Sequence, residues 1–187
     1  MGEFEYFASQ SLATFAKSRL WFETIQDRRN HGEINVVEVG VAKGGSLALA
    51  ALAFEGESQN LNLFGLDTFD GKQKWSVADL SIFFPMKLIM ELRLSRREQL
   101  RSSSTESCCK LIESAGFQGN LKLFKGDAHQ TVTDLTQQLR EIDVLRISVN
   151  YYLPVLKSLE TPVPKVAPGG LVWLDGLGFW PAYRKAF

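Results

Sequence analysis

The sequence has few cysteines, few histidines and no net charge. Two cysteines and two histidines occur in 187 residues, and 21 basic residues balance 21 acidic ones. The cysteines, Cys108 and Cys109, are adjacent. Adjacent cysteines build neither a disulfide framework nor a zinc site, which favours a reducing compartment. Because a neutral chain does not attract nucleic acid or an anionic membrane electrostatically, we expect neither as a partner.

Long apolar runs are also missing. No run approaches the length that crosses a bilayer, and the N-terminus "MGEFEYFASQ" has acidic residues where a signal peptide has basic ones. These features predict a cytoplasmic protein. Hydrophobic residues make up 45% of the chain, which is enough for one globular domain over residues 1–187.

What the sequence does contain is an alternation of strand and helix patterns. Helical patterns lie between the strands, and residues 7–26 of an N-terminal helical segment (1–33) predict a further helix. This alternation predicts an α/β, Rossmann-like fold with a mostly parallel sheet flanked by helices. The apolar runs that predict strands are residues 34–39, 61–67, 121–127, 143–149 and 171–175.

Residues 71–119 predict a helical insert after the second strand. Their helical pattern is interrupted at Pro85 and at the serines 102–104. The segment is too long for an ordinary connection between a strand and a helix. It is therefore interpreted as a lid over a substrate or as an oligomer interface.

A glycine-containing turn follows the first predicted strand, in "NVVEVGVAKGGSLAL". Glycines let a backbone approach a ligand closely, and the free N–H groups at a helix N-terminus suit a carboxylate or phosphate. The spacing of Gly40, Gly44 and Gly45 is neither G-x-G-x-x-G nor a P-loop, which disfavours a dinucleotide.

Two aspartates end the next two strands. Asp67 is placed to accept both hydroxyls of a ribose, and Asp127 to accept a hydrogen bond from an adenine amino group. Each aspartate taken alone is equally consistent with a capping residue at a strand-to-helix turn. Ribose, adenine and a small carboxylate together describe S-adenosylmethionine.

Five stretches, "VVEVGVAKGGS", "LFGLDTFDG", "KGDAHQTV", "APGGLVWLD" and "FWPAYRKAF", resemble the macrocin O-methyltransferase (TylF-like) family of class I S-adenosylmethionine-dependent methyltransferases. The resemblance covers residues 36–187 and is weakest over 71–119. It implies a methyltransferase sheet and methylation of a hydroxyl, often on a sugar, in natural-product biosynthesis. The cofactor-binding residues expected from the resemblance and the strand ends are Glu38, Gly40, Val41, Gly44, Gly45, Ser46, Asp67, Thr68, Phe69, Asp127 and Ala128.

The chain departs from this family at the metal site. The family resemblance implies Mg²⁺ held by aspartates after the fourth and fifth strands, but this chain has Ser148, Asn150 and Gly176 at three of those positions and keeps only Asp175. We therefore expect no metal. The chain also stops at Phe187, so that the last two strands of the family's sheet are expected to be missing. A partner subunit would cover the exposed edge, and homo-oligomerisation is one way to supply it.

Without a metal, a side chain would have to serve as the base. His129 and Asp175 are the candidates, although a histidine in the position of His129 is more often an exposed loop or capping residue. Tyr151 and Tyr152 follow the fourth strand, where they would line an acceptor pocket or belong to the core.

The favoured interpretation is a metal-independent methyltransferase that acts on a small molecule. An amine fits better than an alcohol because it needs less activation. The alternatives are a catalytically inactive relative that acts as a binding subunit, and a fold redirected to another reaction.

Overall fold

The computed structural model describes residues 2–70, 77, 79, 103–178 and 180–187. Strands and helices alternate through the central part of the chain, as predicted. In chain order the elements are α1 (Glu3–Gln10), α2 (Phe15–Gln26), β1 (Ile34–Val39), α3 (Gly45–Ala53), β2 (Leu61–Asp67), α4 (Thr105–Glu113), β3 (Asn120–Lys125), α5 (Ala128–Gln138), β4 (Ile142–Ile147), α6 (Tyr152–Glu160), β5 (Val166–Leu174) and α7 (Pro181–Ala186).

The N-terminal segment contains two helices where the sequence predicted one over residues 7–26. Helix α1 ends before Ser11, whose backbone is extended, and α2 begins after Thr14. The Thr14 side chain accepts a hydrogen bond from the Lys17 N–H at 3.3 Å, which is an N-cap. The predicted continuous helix was wrong because these polar residues satisfy backbone groups better at a helix boundary than inside a helix.

Within the described residues, five strands form one parallel sheet in the order β3-β2-β1-β4-β5. Val36 of β1 pairs with Leu63 on one side and with Val144 on the other. The chain turns from building one half of the sheet to building the other at β1. Ligands of such sheets bind beyond the carboxyl end at this switch point, which places the turn after β1 at the centre of the site.

Helices cover both faces of the sheet. The first face packs against α1 to α4, through buried residues such as Trp21, Leu47 and Ile112. The second face packs against α5 to α7, through residues such as Leu135, Val155 and Tyr183. Burial on both faces explains why β1 and β2 are nearly continuous apolar runs that the sequence predicts with the same bounds as the structure.

Most of the predicted insert, including Pro85, lies outside the described residues, so the lid and interface hypotheses are not addressed. Asp79 is an exception: it is buried, and its Oδ1 accepts a hydrogen bond from the Tyr152 N–H at 2.6 Å, at the start of α6. Within the described residues, no helix combines the length and apolarity needed to span a membrane.

Candidate active site

The residues that follow the five strands lie side by side at one edge of the sheet. Backbone hydrogen bonds continue the sheet pairing one step beyond the strands and join each turn to its neighbour. The donor and acceptor pairs are Gly126 to Asp67, Gly40 to Leu66, Ser148 to Val39 and Asp175 to Ile147, at 2.8–3.1 Å. This edge therefore brings together the strand-end turns that sequence reasoning singled out.

The turn after β1 requires glycine at two positions. Gly40 has φ +95°, and a Cβ there would lie 2.5 Å from the backbone oxygen of Ser148. Gly44 has φ +89° and caps the N-terminus of α3. These are left-handed conformations that glycine adopts without strain. The turn is thus narrow, and the first N–H groups of α3, which have no partner inside the helix, lie at its end.

Gly45 has a different reason to be glycine. A Cβ at this position would overlap the backbone of Gln10 and Ser11, in the connection between α1 and α2. The N-terminal segment therefore packs directly on the first turn of α3. Any contact between Gly45 and a cofactor is left to its backbone.

Asp67 ties the turn after β1 to the end of β2. Its Oδ2 accepts a hydrogen bond from the Ala42 N–H at 2.8 Å, and its Oδ1 accepts one from the Phe69 N–H at 3.1 Å. Both donors belong to residues with positive φ, which these bonds help to hold. Because each carboxylate oxygen accepts more than one hydrogen bond, Asp67 retains capacity for ribose hydroxyls.

Asp127 has an oxygen without a hydrogen-bond partner. Its Oδ1 is buried and accepts no hydrogen bond from any described residue. The His129 Nδ1 lies 2.9 Å away, in ion-pair range, but makes no hydrogen bond to this oxygen. A buried acceptor of this kind needs a donor, and an adenine amino group would supply one.

Four predicted cofactor residues are enclosed by protein. Val41, Phe69 and Ala128 are core residues, and the Glu38 side chain is only 1% exposed. Their side chains do not reach the surface of the site. Backbone contacts remain open to the first three, and Glu38 acts beneath the turn, where Ser46 Oγ donates a 2.5 Å hydrogen bond to its Oε1.

Under the turn lies a buried cluster of charges that sequence reasoning missed. Arg146 of β4 pairs in register with Glu38 of β1 and Trp173 of β5, so the three side chains lie on one face. The Arg146 Nη2 and Nε donate to Asp175 Oδ2 at 2.6 and 3.0 Å, and its Nη1 lies 3.3 Å from Glu38 Oε1. One guanidinium therefore serves two carboxylates, and Asp175 has the closer contacts.

Because Arg146 contacts Asp175 more closely than Glu38, the pKa values of the two carboxyl groups shift in opposite directions. Burial raises the pKa of Glu38 to about 7, against the opposing effect of Arg146. Burial also acts to raise the pKa of Asp175, but Arg146 and hydrogen bonds, one from Trp173 at 2.8 Å, hold it below its ordinary value. Asp175 is thus held as a carboxylate with its oxygens engaged, which makes it a weak base.

The turn after β5 is filled by an aromatic ring. A Cβ on Gly176 would overlap the ring of Tyr183 from α7. The Tyr183 hydroxyl donates to the Ile147 oxygen at 2.9 Å, and burial raises the pKa of this hydroxyl. Tyr183 is fully buried, so its ring has no room to move aside.

The turn after β4 contains the predicted acceptor-side tyrosines. Tyr151 is 2% exposed, whereas Tyr152 is half-buried and has the Lys185 Nζ 5.0 Å from its ring centroid. Ser148 and Asn150 are also half-buried. Of the two tyrosines, only Tyr152 presents a substantial surface.

The parallel sheet, its strand order and the helices on both faces define a class I methyltransferase fold. Residues 37–176 match the family described as "Methyltransferase domain", and the chain belongs to that family. A search of curated proteins found no match.

Solved methyltransferase structures share the fold. The chain is similar to the O-methyltransferase NovP, with 20% identity, a TM-score of 0.71, and coverage of 90% of this chain and 67% of NovP. For the calicheamicin methyltransferase CalS11 the values are 17%, 0.63, 92% and 69%. For TomG from Streptomyces achromogenes, involved in tomaymycin synthesis and solved with S-adenosylmethionine, they are 10%, 0.54, 100% and 75%. At these identities the likeness shows the fold alone.

Proposed function

We propose that this protein transfers the methyl group of S-adenosylmethionine to a small-molecule acceptor without a metal ion. The observation that carries the proposal is that the turns after β1, β2 and β3 lie next to one another at the carboxyl ends of the strands, beside the switch point of the sheet. Asp67 links the glycine turn to β2, and Asp127 beside it keeps a buried oxygen without a hydrogen-bond partner among the described residues.

The residues at this edge fit S-adenosylmethionine. Asp67 would hold the ribose hydroxyls, and Asp127 with the backbone of Ala128 would hold the adenine. The backbone around Gly40 and Gly44 would surround the methionine part. When bound, the cofactor supplies a methyl group on a positively charged sulfur, which a nucleophile takes in an in-line displacement. The chain's own contribution is to position that nucleophile.

The donor set after β4 and β5 does not fit Mg²⁺. This ion prefers carboxylate oxygens in octahedral geometry. Ser148 and Asn150 are neutral, and the Asp175 carboxylate is engaged by Arg146 and Trp173. Gly176 offers no side chain, and Tyr183 occupies the space beside it. These observations support metal independence.

Neither candidate base, His129 or Asp175, is well placed. His129 follows β3 and Asp175 follows β5, which are the two outermost strands of the sheet. Four strand spacings, about 19 Å, separate these strands, so the two residues do not serve the same acceptor atom. Asp175 is engaged by its partners, and His129, although its side chain is one-third exposed, follows the strand end assigned to the adenine and not to the methionine part. An amine acceptor would need a base least.

The acceptor class rests on the resemblance to TylF-like enzymes and on the neighbouring structures. Calicheamicin and tomaymycin are named in two of those structures, which supports a natural-product or sugar-like acceptor. Membership of the TylF-like family is part of the proposal, as are a cytoplasmic location, a single domain over residues 1–187 and a homo-oligomeric state.

The test is a screen of phenols, sugar alcohols and amines for release of S-adenosylhomocysteine, run with Mg²⁺ and with EDTA. We expect turnover that EDTA does not reduce and that is fastest with amines. The variant Asp67→Ala should weaken cofactor binding more than tenfold, since it removes the ribose acceptor and the hydrogen bonds from Ala42 and Phe69. Asp134→Ala, at an exposed aspartate of α5, is the matched control.

One alternative has observations in its favour. The engaged carboxylate of Asp175 and the filled space beside Gly176 are consistent with a binding subunit that no longer catalyses. Cofactor binding without transfer to any acceptor would support this alternative. Transfer that requires Mg²⁺ would contradict the metal-independent mechanism.

A further inference from the structure

Helix α2 lies antiparallel along β5 and reaches the carboxyl edge. At one end of the helix, Lys17 Nζ donates to the backbone oxygen of Asp175 at 3.1 Å. Beyond its other end, Arg28 Nη1 donates to the backbone oxygen of Gly169 at 3.0 Å. The helix is thus held at both ends of the strand, and its central residues face the buried charge cluster.

Trp21, in the middle of α2, contacts the buried charge cluster. It also contacts the segment from Gly40 to Ser46, which is called the cofactor turn below. It is 1% exposed, and its Nε1 donates to the backbone oxygen of Ser46 at 2.8 Å, in the first turn of α3. Its ring centroid lies 4.9 Å from the Arg146 Cζ, which is a cation–π contact. The ring also meets that of Trp173 edge-on at 5.6 Å.

Arg146 extends this contact across the sheet. It joins Glu38, which holds the Ser46 hydroxyl, to Asp175 at the end of β5. Both the hydroxyl and the backbone oxygen of Ser46 are therefore fixed from below, by Glu38 and by Trp21. The backbone of Ser11 lies on the neighbouring Gly45 as well. A shift of the first turn of α3 would break these contacts unless α2 moved with it.

We propose that Trp21 and Arg146 are positioning residues that hold the cofactor turn in its binding geometry through α2. Neither side chain reaches the cofactor, since both are at most 3% exposed. The proposal rests on the proposed function, because the turn is taken to bind S-adenosylmethionine. Its consequence is that cofactor affinity depends on a residue 25 positions before Ser46 that touches no ligand.

The experiment measures the affinity for S-adenosylhomocysteine by calorimetry, together with the thermal midpoint, for wild type and conservative variants. Trp21→Phe keeps an aromatic ring over Arg146 but loses the N–H to Ser46. Arg146→Lys keeps the charge but loses the contact to two carboxylates. Phe22→Leu, at a partly buried neighbour on the same helix, controls for general loosening of α2.

We expect Trp21→Phe to weaken binding about tenfold, which corresponds to one lost hydrogen bond. Phe22→Leu should leave affinity within about twofold although it also lowers the thermal midpoint. The double variant of Trp21 and Arg146 should be non-additive, because the two side chains are in contact.

Two results would overturn the inference: unchanged affinity in Trp21→Phe, or affinity that simply follows thermal stability across all variants. Both leave the proposed function intact as long as the wild type binds. A wild type that binds no S-adenosylhomocysteine refutes the proposed function itself, and the positioning role with it.

Discussion

Replacing Glu38 with glutamine is expected to abolish a pH dependence of stability that we predict for the wild type between pH 4.5 and about 7. Glu38 and Asp175 share one guanidinium, and Asp175 has the shorter contacts, 2.6 Å against 3.3 Å. Burial therefore raises the pKa of Glu38 from 4.5 to about 7 in the folded protein. In this interval the native state holds a proton that the unfolded state has already released.

The sign and size follow from proton linkage. Where the native state binds more protons than the unfolded state, the free energy of unfolding falls as the pH rises. The pKa difference of Glu38 corresponds to about 3 kcal/mol lost between pH 4.5 and about 7. Asp175 acts in the opposite direction and in another interval: its pKa is lowered, so the stability it contributes is lost only as the pH falls below 3.8.

The assay is urea unfolding followed by circular dichroism across this pH interval. The difference in unfolding free energy between Glu38→Gln and wild type should grow in favour of the variant as the pH rises. Glu113→Gln, at an exposed glutamate of α4, is the control and should track the wild type. A difference that stays constant from pH 4.5 to 7 would refute the raised pKa of Glu38.

Two further substitutions test the packing around the site. Gly45→Val should cost about 1–3 kcal/mol and expose the connection at Ser11 to protease, because its side chain would overlap that backbone; unchanged proteolysis would show that the N-terminal segment does not pack there. Gly176→Asp should lower the thermal midpoint and gain no Mg²⁺ binding in calorimetry, because the Tyr183 ring fills the space; a stable variant that binds Mg²⁺ would contradict this packing.

The strands and their order of appearance could be predicted because they rest on local patterns. An apolar, β-branched run before Gly40 and an apolar run that ends at Asp67 predict β1 and β2 with the bounds that the structure has. The same patterns place the strand ends at one edge, since parallel strands share a direction. The break between α1 and α2 was missed because an apolar helical pattern continues through Ser11 and Thr14 and hides the capping role of these residues.

The contacts that define the chemistry of the edge could not be predicted in this way. Trp21 and Ser46 are 25 positions apart, and Arg146 and Asp175 are 29 apart. No spacing rule connects such pairs; only the packing of α2 and the register of β4 with β5 do. An arginine inside an otherwise apolar strand was the one available signal for Arg146, since a buried charge needs a partner. The role of Asp175 as a base stays a prediction that its partners argue against.

Calorimetric titration of the purified protein with S-adenosylmethionine and with S-adenosylhomocysteine, each with and without Mg²⁺, tests the proposed cofactor site directly. We expect micromolar binding of both compounds with affinities that Mg²⁺ does not change. Binding of neither compound would show that the glycine turn no longer holds the cofactor. Binding that appears only with Mg²⁺ would contradict the reading of Ser148, Asn150 and Gly176 as the loss of the metal site.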